Sequence, residues 1–303
     1  MLHKMIAGVI PHMPKKLIWM FSKAYIAGET VEDAIKASAK LNEEGVMVTI
    51  DILGEFITDL SQATESKEQY LDTIKRFTDK GVDGNFSVKP TSFGLLLDPE
   101  VCYQNIREVV KLAAEKGNFI RIDMEDSQCV DMEWDIYKRL KAEFPGHVGL
   151  VLQAYLHRTM PDLVSLNGSG TAENPYNFRL CKGIYVEPEE IAYKGYQEVR
   201  NHFVENLEYM LTHDMYVGIA THDKYLIEKA FELIEKHNVP RDKYEFQMLY
   251  GVTPELRKSV VNAGHRMRVY VPFGKDWFGY STRRLKENPK MVNHIVKALF
   301  VKG

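Results

Sequence analysis

The strongest constraint on this chain is an alternation of apolar runs with helix-periodic stretches. The first run, VMVTIDILG at 46–54, is largely apolar and closed by glycine, long enough for a strand buried on both faces. An amphipathic stretch at 67–80 follows, then NFSVKP at 85–90. Helical periodicity at 99–116 leads into FIRIDME at 119–125, and at 131–144 into VGLVLQA at 148–154. A looser segment at 167–175, rich in Gly and Asn, precedes FRLCKG at 178–183. A long helical region at 188–213 leads to YVGIATH at 216–222. Helices at 224–237 and 254–263 then lead to YEFQMLY at 244–250 and to a strand from Arg268, stopped by Pro272 and Gly274. Eight strands separated by helices are what a closed (β/α)8 barrel needs. The length of 303 residues fits one such barrel of about 250 residues with extensions. Upstream, 15–44 reads as two helices, the second opened by an N-cap signal at Thr30 to Asp33. The expected organisation is one domain over 1–303. It has N-terminal helices at 1–44, an α/β (β/α)8 TIM barrel at 45–288 and a C-terminal helix at 289–303.

Composition removes several function classes. A net charge of −3 gives no electrostatic footprint for nucleic acid. Cys102, Cys129 and Cys181 show no CxxC spacing, so neither a disulfide framework nor a zinc site is expected, and a reducing, cytoplasmic setting fits. The N-terminal MLHKMIAGVIPHMPKKLIWMF is apolar and basic but broken by Pro11 and Pro14, a poor membrane span and a poor signal peptide. Two roles remain for it, covering the barrel or peripheral contact with a membrane. Helical spacing from Leu17 onward favours covering. There is no GxGxxG, GxxxxGK[ST], HExxH or GxSxG pattern.

In such a barrel the chemistry sits where strands end and βα loops begin. Those ends carry Asp51, Glu55, Lys89, Asp123, Glu125, Asp126, Gln153, Tyr155, Arg179, Lys182, Tyr185, Thr221, His222, Asp223, Gln247 and Tyr270. Buried strands rarely carry so many polar groups, so the mouth is read as a site for a sizeable ligand. Asp123, Glu125 and Asp126 make a poor metal cage, because in a strand 123 and 125 share a face and 126 opposes them, and no metal is expected. The closing stretch RVYVPFGKDWFGYSTRRLKE turns helical and presents Arg283 and Arg284. A solvated surface pair is the plain alternative; a shared target would be anionic, since Arg binds carboxylate or phosphate as a planar fork.

These residues fall into ordered motifs: LGE at 53–55, SVK at 87–89, RIDMED at 121–126, LQAY at 152–155, RLCKGIY at 179–185, ATHD at 220–223, EFQMLYG at 245–251 and the closing RVYVPFG with YSTRR and Glu287. In these the chain resembles proline dehydrogenase, in its short monofunctional bacterial form. The resemblance implies a distorted TIM barrel that oxidises L-proline to Δ1-pyrroline-5-carboxylate with FAD and passes electrons to a membrane quinone. It implies that Arg283, Arg284 and Lys89 meet the proline carboxylate and that Tyr270 and Leu249 wall its ring. Asp123 would balance the charge of the cluster, and Glu55 would pair with the first arginine as a lid. For FAD it implies Arg179 beside the isoalloxazine. Gln153, Lys182, Gly183, Tyr185, Thr221, His222, Gln247 and Glu287 would lie at further cofactor positions, and Cys181 and Ile184 would give backbone contacts. The chain departs from the family pattern at Cys181, where Val is frequent, at Asp223, where Asn is frequent, and in a longer segment at 160–175. Neither a DNA-binding arm nor an aldehyde dehydrogenase domain is expected. Two other readings stay open: a flavin-free aldolase with Lys89 or Lys182 as Schiff-base amine, and a catalytically silent binding barrel.

Overall fold

The computed structural model describes residues 18, 19, 22–54, 56–166, 170, 171 and 174–281. Eight parallel strands close into a barrel in sequence order. They are β1 (Met47–Ile52), β2 (Gly84–Val88), β3 (Ile120–Ile122), β4 (Val148–Gln153), β5 (Asn177–Cys181), β6 (Tyr216–Ala220), β7 (Tyr244–Leu249) and β8 (Met267–Phe273). Closure is made by β8 on β1, from Met47 opposite Arg268 to Ile52 opposite Phe273. The helices are α1 (Val31–Glu43), α2 (Leu60–Asp79), α3 (Pro99–Glu115), α4 (Val130–Glu143), α5 (Thr159–Ser165), α6 (Tyr196–Thr212), α7 (Lys224–Lys236) and α8 (Pro254–Asn262).

The expected barrel is present, and several boundaries move for local reasons. The second helix starts at Leu60 rather than 67, because Asp59 caps it and Gln62 completes a capping box. The region at 188–213 is helical only from Tyr196. Before it, the chain lies on the β4–α5 loop through an isolated Leu156–Ala192 bridge and a bond from His157 N–H to Ile191 O. β3 is three residues long, so Asp123 and Glu125 lie beyond it in the loop. Pro272 does not stop β8, which runs on to Phe273. Pro272 brings no N–H to the ladder, and its carbonyl accepts from Ala27 N–H. The arginines of the closing helical stretch, the C-terminal helix at 289–303 and residues 15–17, 20 and 21 of the first expected helix lie outside the described residues.

Strand residues two apart share a face. One set, including Ile50, Phe86, Val88, Ile122, Leu150, Phe178, Ile219, Phe246 and Val269, is fully buried in the apolar core. Each such side chain contributes about 1.5–3 kcal/mol by leaving water. The other set lines the barrel axis and is polar. Arg121, Arg179, Glu245, Gln247 and Arg268 are all buried. Two strand glycines make room for this axis. A Cβ at Gly149 would stand 2.5 Å from Asn177 O and closer still to Arg121 Nη1, and one at Gly218 would lie against Gln247 Nε2.

Candidate active site

A cavity of about 790 Å3 opens at the carboxyl ends of the strands, within the size range of small-molecule sites. Its floor is a compact charge cluster. Lys89 leaves β2 in extended conformation because Pro90 follows it. Its Nζ donates to Asp51 Oδ1 at 2.6 Å and to Tyr270 OH at 3.3 Å, and lies 3.7 Å from Asp123 Oδ2. Asp123 Oδ1 accepts from Ser87 Oγ at 2.5 Å and from Arg179 Nη1 at 2.8 Å. Its Oδ2 accepts from Tyr270 OH at 3.0 Å. Two cations and two anions thus share one floor, and the Tyr270 ring stands beside it with the Arg179 guanidinium 5.1 Å from its centroid.

Burial and neighbouring charges shift the titration of the floor, and burial raises the Asp51 carboxyl although Lys89 opposes this. Burial works against the Asp123 carboxylate, but Arg179 and Lys89 outweigh it and hold the group below its ordinary range. Burial also opposes the Lys89 charge, yet Asp51 beside it raises the amine well above its usual value. An ammonium is no nucleophile, so Lys89 does not support Schiff-base chemistry. Burial pushes the Tyr270 phenol up, and Asp123 adds to this, so the hydroxyl stays a donor. The Cys181 thiol is pushed up to about 11 by burial.

The upper wall comes from β4 to β7. Gln153 Nε2 donates to Glu125 O at 2.8 Å, and the Glu125 carboxylate accepts from Thr91 N–H and Oγ. Beyond β5, Tyr155 N–H donates to Lys182 O. Gly183 sits at φ 110°, and a Cβ there would fall 2.2 Å from the Tyr155 ring, so only glycine fits this close left-handed turn. His222 Nε2 accepts from Leu249 N–H at 2.9 Å, which places the proton of a neutral ring on Nδ1. Lys182 Nζ lies 3.3 Å from Asp223 Oδ2, which Arg200 also holds in a fork with bonds of 2.9 and 2.7 Å. Asp223 additionally caps α7, and its second acceptor oxygen is in use where an amide would offer a donor.

Lys89, Asp123, Tyr270, Leu249, Gln153, Arg179, Cys181, Lys182, Gly183, Ile184, Tyr185, Thr221, His222 and Gln247 all line this one cavity. Glu55, Arg283, Arg284 and Glu287 lie outside the described residues. Phe56, Met124, Val151 and Met248 also line it; sequence reasoning passed over them because apolar residues in or beside buried strands look like core. Among the described residues, no three His, Cys, Asp or Glu side chains are grouped to hold a metal ion.

A family model described as "Proline dehydrogenase" matches residues 34–297. The chain belongs to the proline dehydrogenase family. It is 34% identical over 296 residues to proline dehydrogenase 1 of Bacillus subtilis subsp. natto, covering 95% of this chain and 96% of that one. It is 33% identical to the proline dehydrogenase of Deinococcus radiodurans, covering 96% and 93%. Among solved structures it is similar to proline utilization A (PutA) from Bdellovibrio bacteriovorus inactivated by N-propargylglycine, with a TM-score of 0.82 and 26% identity over 88% of this chain. PutA from Corynebacterium freiburgense, at 24% identity and a TM-score of 0.78, shares the fold. The chain spans about a third of each PutA chain, 32% and 34%.

Proposed function

We propose that this family member is an FAD-dependent proline dehydrogenase. It would oxidise L-proline to Δ1-pyrroline-5-carboxylate, the first step of proline catabolism, and pass the electrons to a quinone. The supporting observation is Arg179. Its guanidinium is buried in the cavity wall, with Nε and Nη1 bonded and Nη2 without a partner among the described residues. A buried donor left open is costly, and an electron-rich cofactor edge would satisfy it.

FAD, when bound, supplies the hydride acceptor for C5 of proline. Arg179, Gln153, Lys182, Gly183, Tyr185, Thr221, His222, Gln247 and the backbone at Cys181 and Ile184 would hold it. The protein's part is orientation and charge. Lys89, with Arg283 and Arg284, would bind the substrate carboxylate. Tyr270 and Leu249 would confine the ring. Asp123 would hold Lys89, Arg179 and Tyr270 together, so that the site presents fixed dipoles without reorganising.

The test is direct. Cofactor released by heat should have the mass of FAD, and anaerobic L-proline should bleach the bound flavin. FMN, a nicotinamide or no cofactor overturns the reading. A quinone analogue should restore the colour faster than dissolved oxygen does.

A further inference from the structure

Beneath the cavity a second polar group fills the barrel axis, and hydrogen bonds join it to the site without a break. Arg268 Nε donates to Glu245 Oε1 at 2.6 Å and its Nη2 to Oε2 at 3.1 Å, while Tyr216 OH donates to Oε2 at 2.7 Å. Gln247 Nε2 donates to Glu245 Oε1 at 2.6 Å, and Arg179 Nε donates to Gln247 Oε1 at 2.6 Å. Glu245 is 1% exposed and Gln247 5%, so both bonds are buried. Burial alone would raise the Glu245 carboxyl, but Arg268 and the other donors bring it down to about 2. It is therefore an acceptor at every working pH.

The chemistry of the partners dictates the amide. A carboxylate only accepts and a guanidinium only donates, so Gln247 can satisfy both in one orientation. Turned over, it would set N–H against N–H at Arg179. Gly218 serves the same arrangement, since a Cβ there would stand 2.4 Å from Gln247 Nε2.

We propose that Glu245 is a positioning residue for Arg179. Through the Gln247 amide it fixes the guanidinium so that Nη1 meets Asp123 while the buried Nη2 is left without a partner among the described residues. The proposal rests on the FAD reading, toward which that donor would act. Replacing the carboxylate by an amide weakens the hold on Arg179 without abolishing it in every rotamer. A glutamine oxygen turned to Gln247 keeps that bond but sets its NH2 against Arg268 Nη2. An NH2 turned to Gln247 inverts that amide and expels Arg179 Nε, so Gly218→Ala, which displaces Gln247 itself, is the decisive variant.

The experiment compares the FAD-loaded parent with Glu245→Gln, Gly218→Ala and Tyr216→Phe. A cation beside the cofactor favours its more negative, reduced form, so displacing Arg179 lowers the reduction potential. Spectroscopic redox titration should show a negative shift in Glu245→Gln and Gly218→Ala, with flavin retained. Tyr216→Phe should leave the potential unchanged, because that hydroxyl touches Glu245 and not Gln247. In 15N-arginine-labelled samples the Arg179 Nε–H signal should be exchange-protected in the parent and in Tyr216→Phe, and should lose protection in the other two. Unchanged potential and protection in Gly218→Ala overturn the proposal even if Glu245→Gln does not fold. An equal shift in Tyr216→Phe overturns it too, by marking a general loosening of the axis. A parent without flavin would sink the FAD reading, while the arginine signals still judge the positioning role.

Discussion

Asp123 is the residue on which the site turns. It accepts from a serine, an arginine and a tyrosine and lies near a lysine that three strands bring to one floor. Removing one charge there would leave the others uncompensated in a largely buried setting. On the described floor Lys89 and Arg179 are already engaged by Asp51 and Asp123, so a carboxylate ligand would draw on further cations, which the sequence offers at Arg283 and Arg284. A charge-assisted hydrogen bond is worth roughly 1.5–3 kcal/mol, so Arg283→Met or Arg284→Met should weaken proline by about ten- to a hundredfold. Steady-state kinetics with flavin content checked first will show it. A Michaelis constant within twofold of the parent in both variants would mean a solvated pair. Arg-to-Lys should restore little, since an ammonium lacks the planar fork.

At the scale of elements, the legible parts were those governed by periodicity and by polarity out of place. Strands such as 148–153 announce themselves as unbroken apolar runs, and Lys89, Arg179 and Gln247 stand out because buried strands seldom tolerate them. What stayed hidden were contacts between strands far apart in sequence. Glu245 and Arg268 read as ordinary alternation, and nothing local says that they pair between the neighbouring strands β7 and β8 or that Gln247 joins them to Arg179 on β5. The strand glycines were equally silent, because the reason for Gly149 is the Arg121 side chain and the Asn177 carbonyl on other strands. Gly149→Ala should cost about 1–3 kcal/mol, the range of overpacking in a filled interior, measured by chemical denaturation. Gly279→Ala, with open space around the added methyl, is the control that should leave stability near the parent's.

For the molecule as a whole, no helix among the described residues is long and apolar enough to cross a membrane. Trp19 lies 4.6 Å, centroid to centroid, from Trp277, and the Trp277 indole donates to Glu29, so the end of the N-terminal extension is packed on the turn after β8. This supports a covering role, and vesicle flotation with and without residues 1–14 should show no binding that depends on them; flotation that needs them would reverse the assignment. The closing strand pair has a consequence for how the chain is made. β1 can find β2 early, but its other edge is completed only by residues 268–273. At roughly 5–20 residues per second of synthesis, that edge waits some ten to forty seconds on the ribosome. Throughout the wait it is a strand of sequence MVTIDI with unmet amides and carbonyls, the kind of surface that pairs with whatever strand arrives first. A holding chaperone present during synthesis should therefore raise the yield of soluble protein.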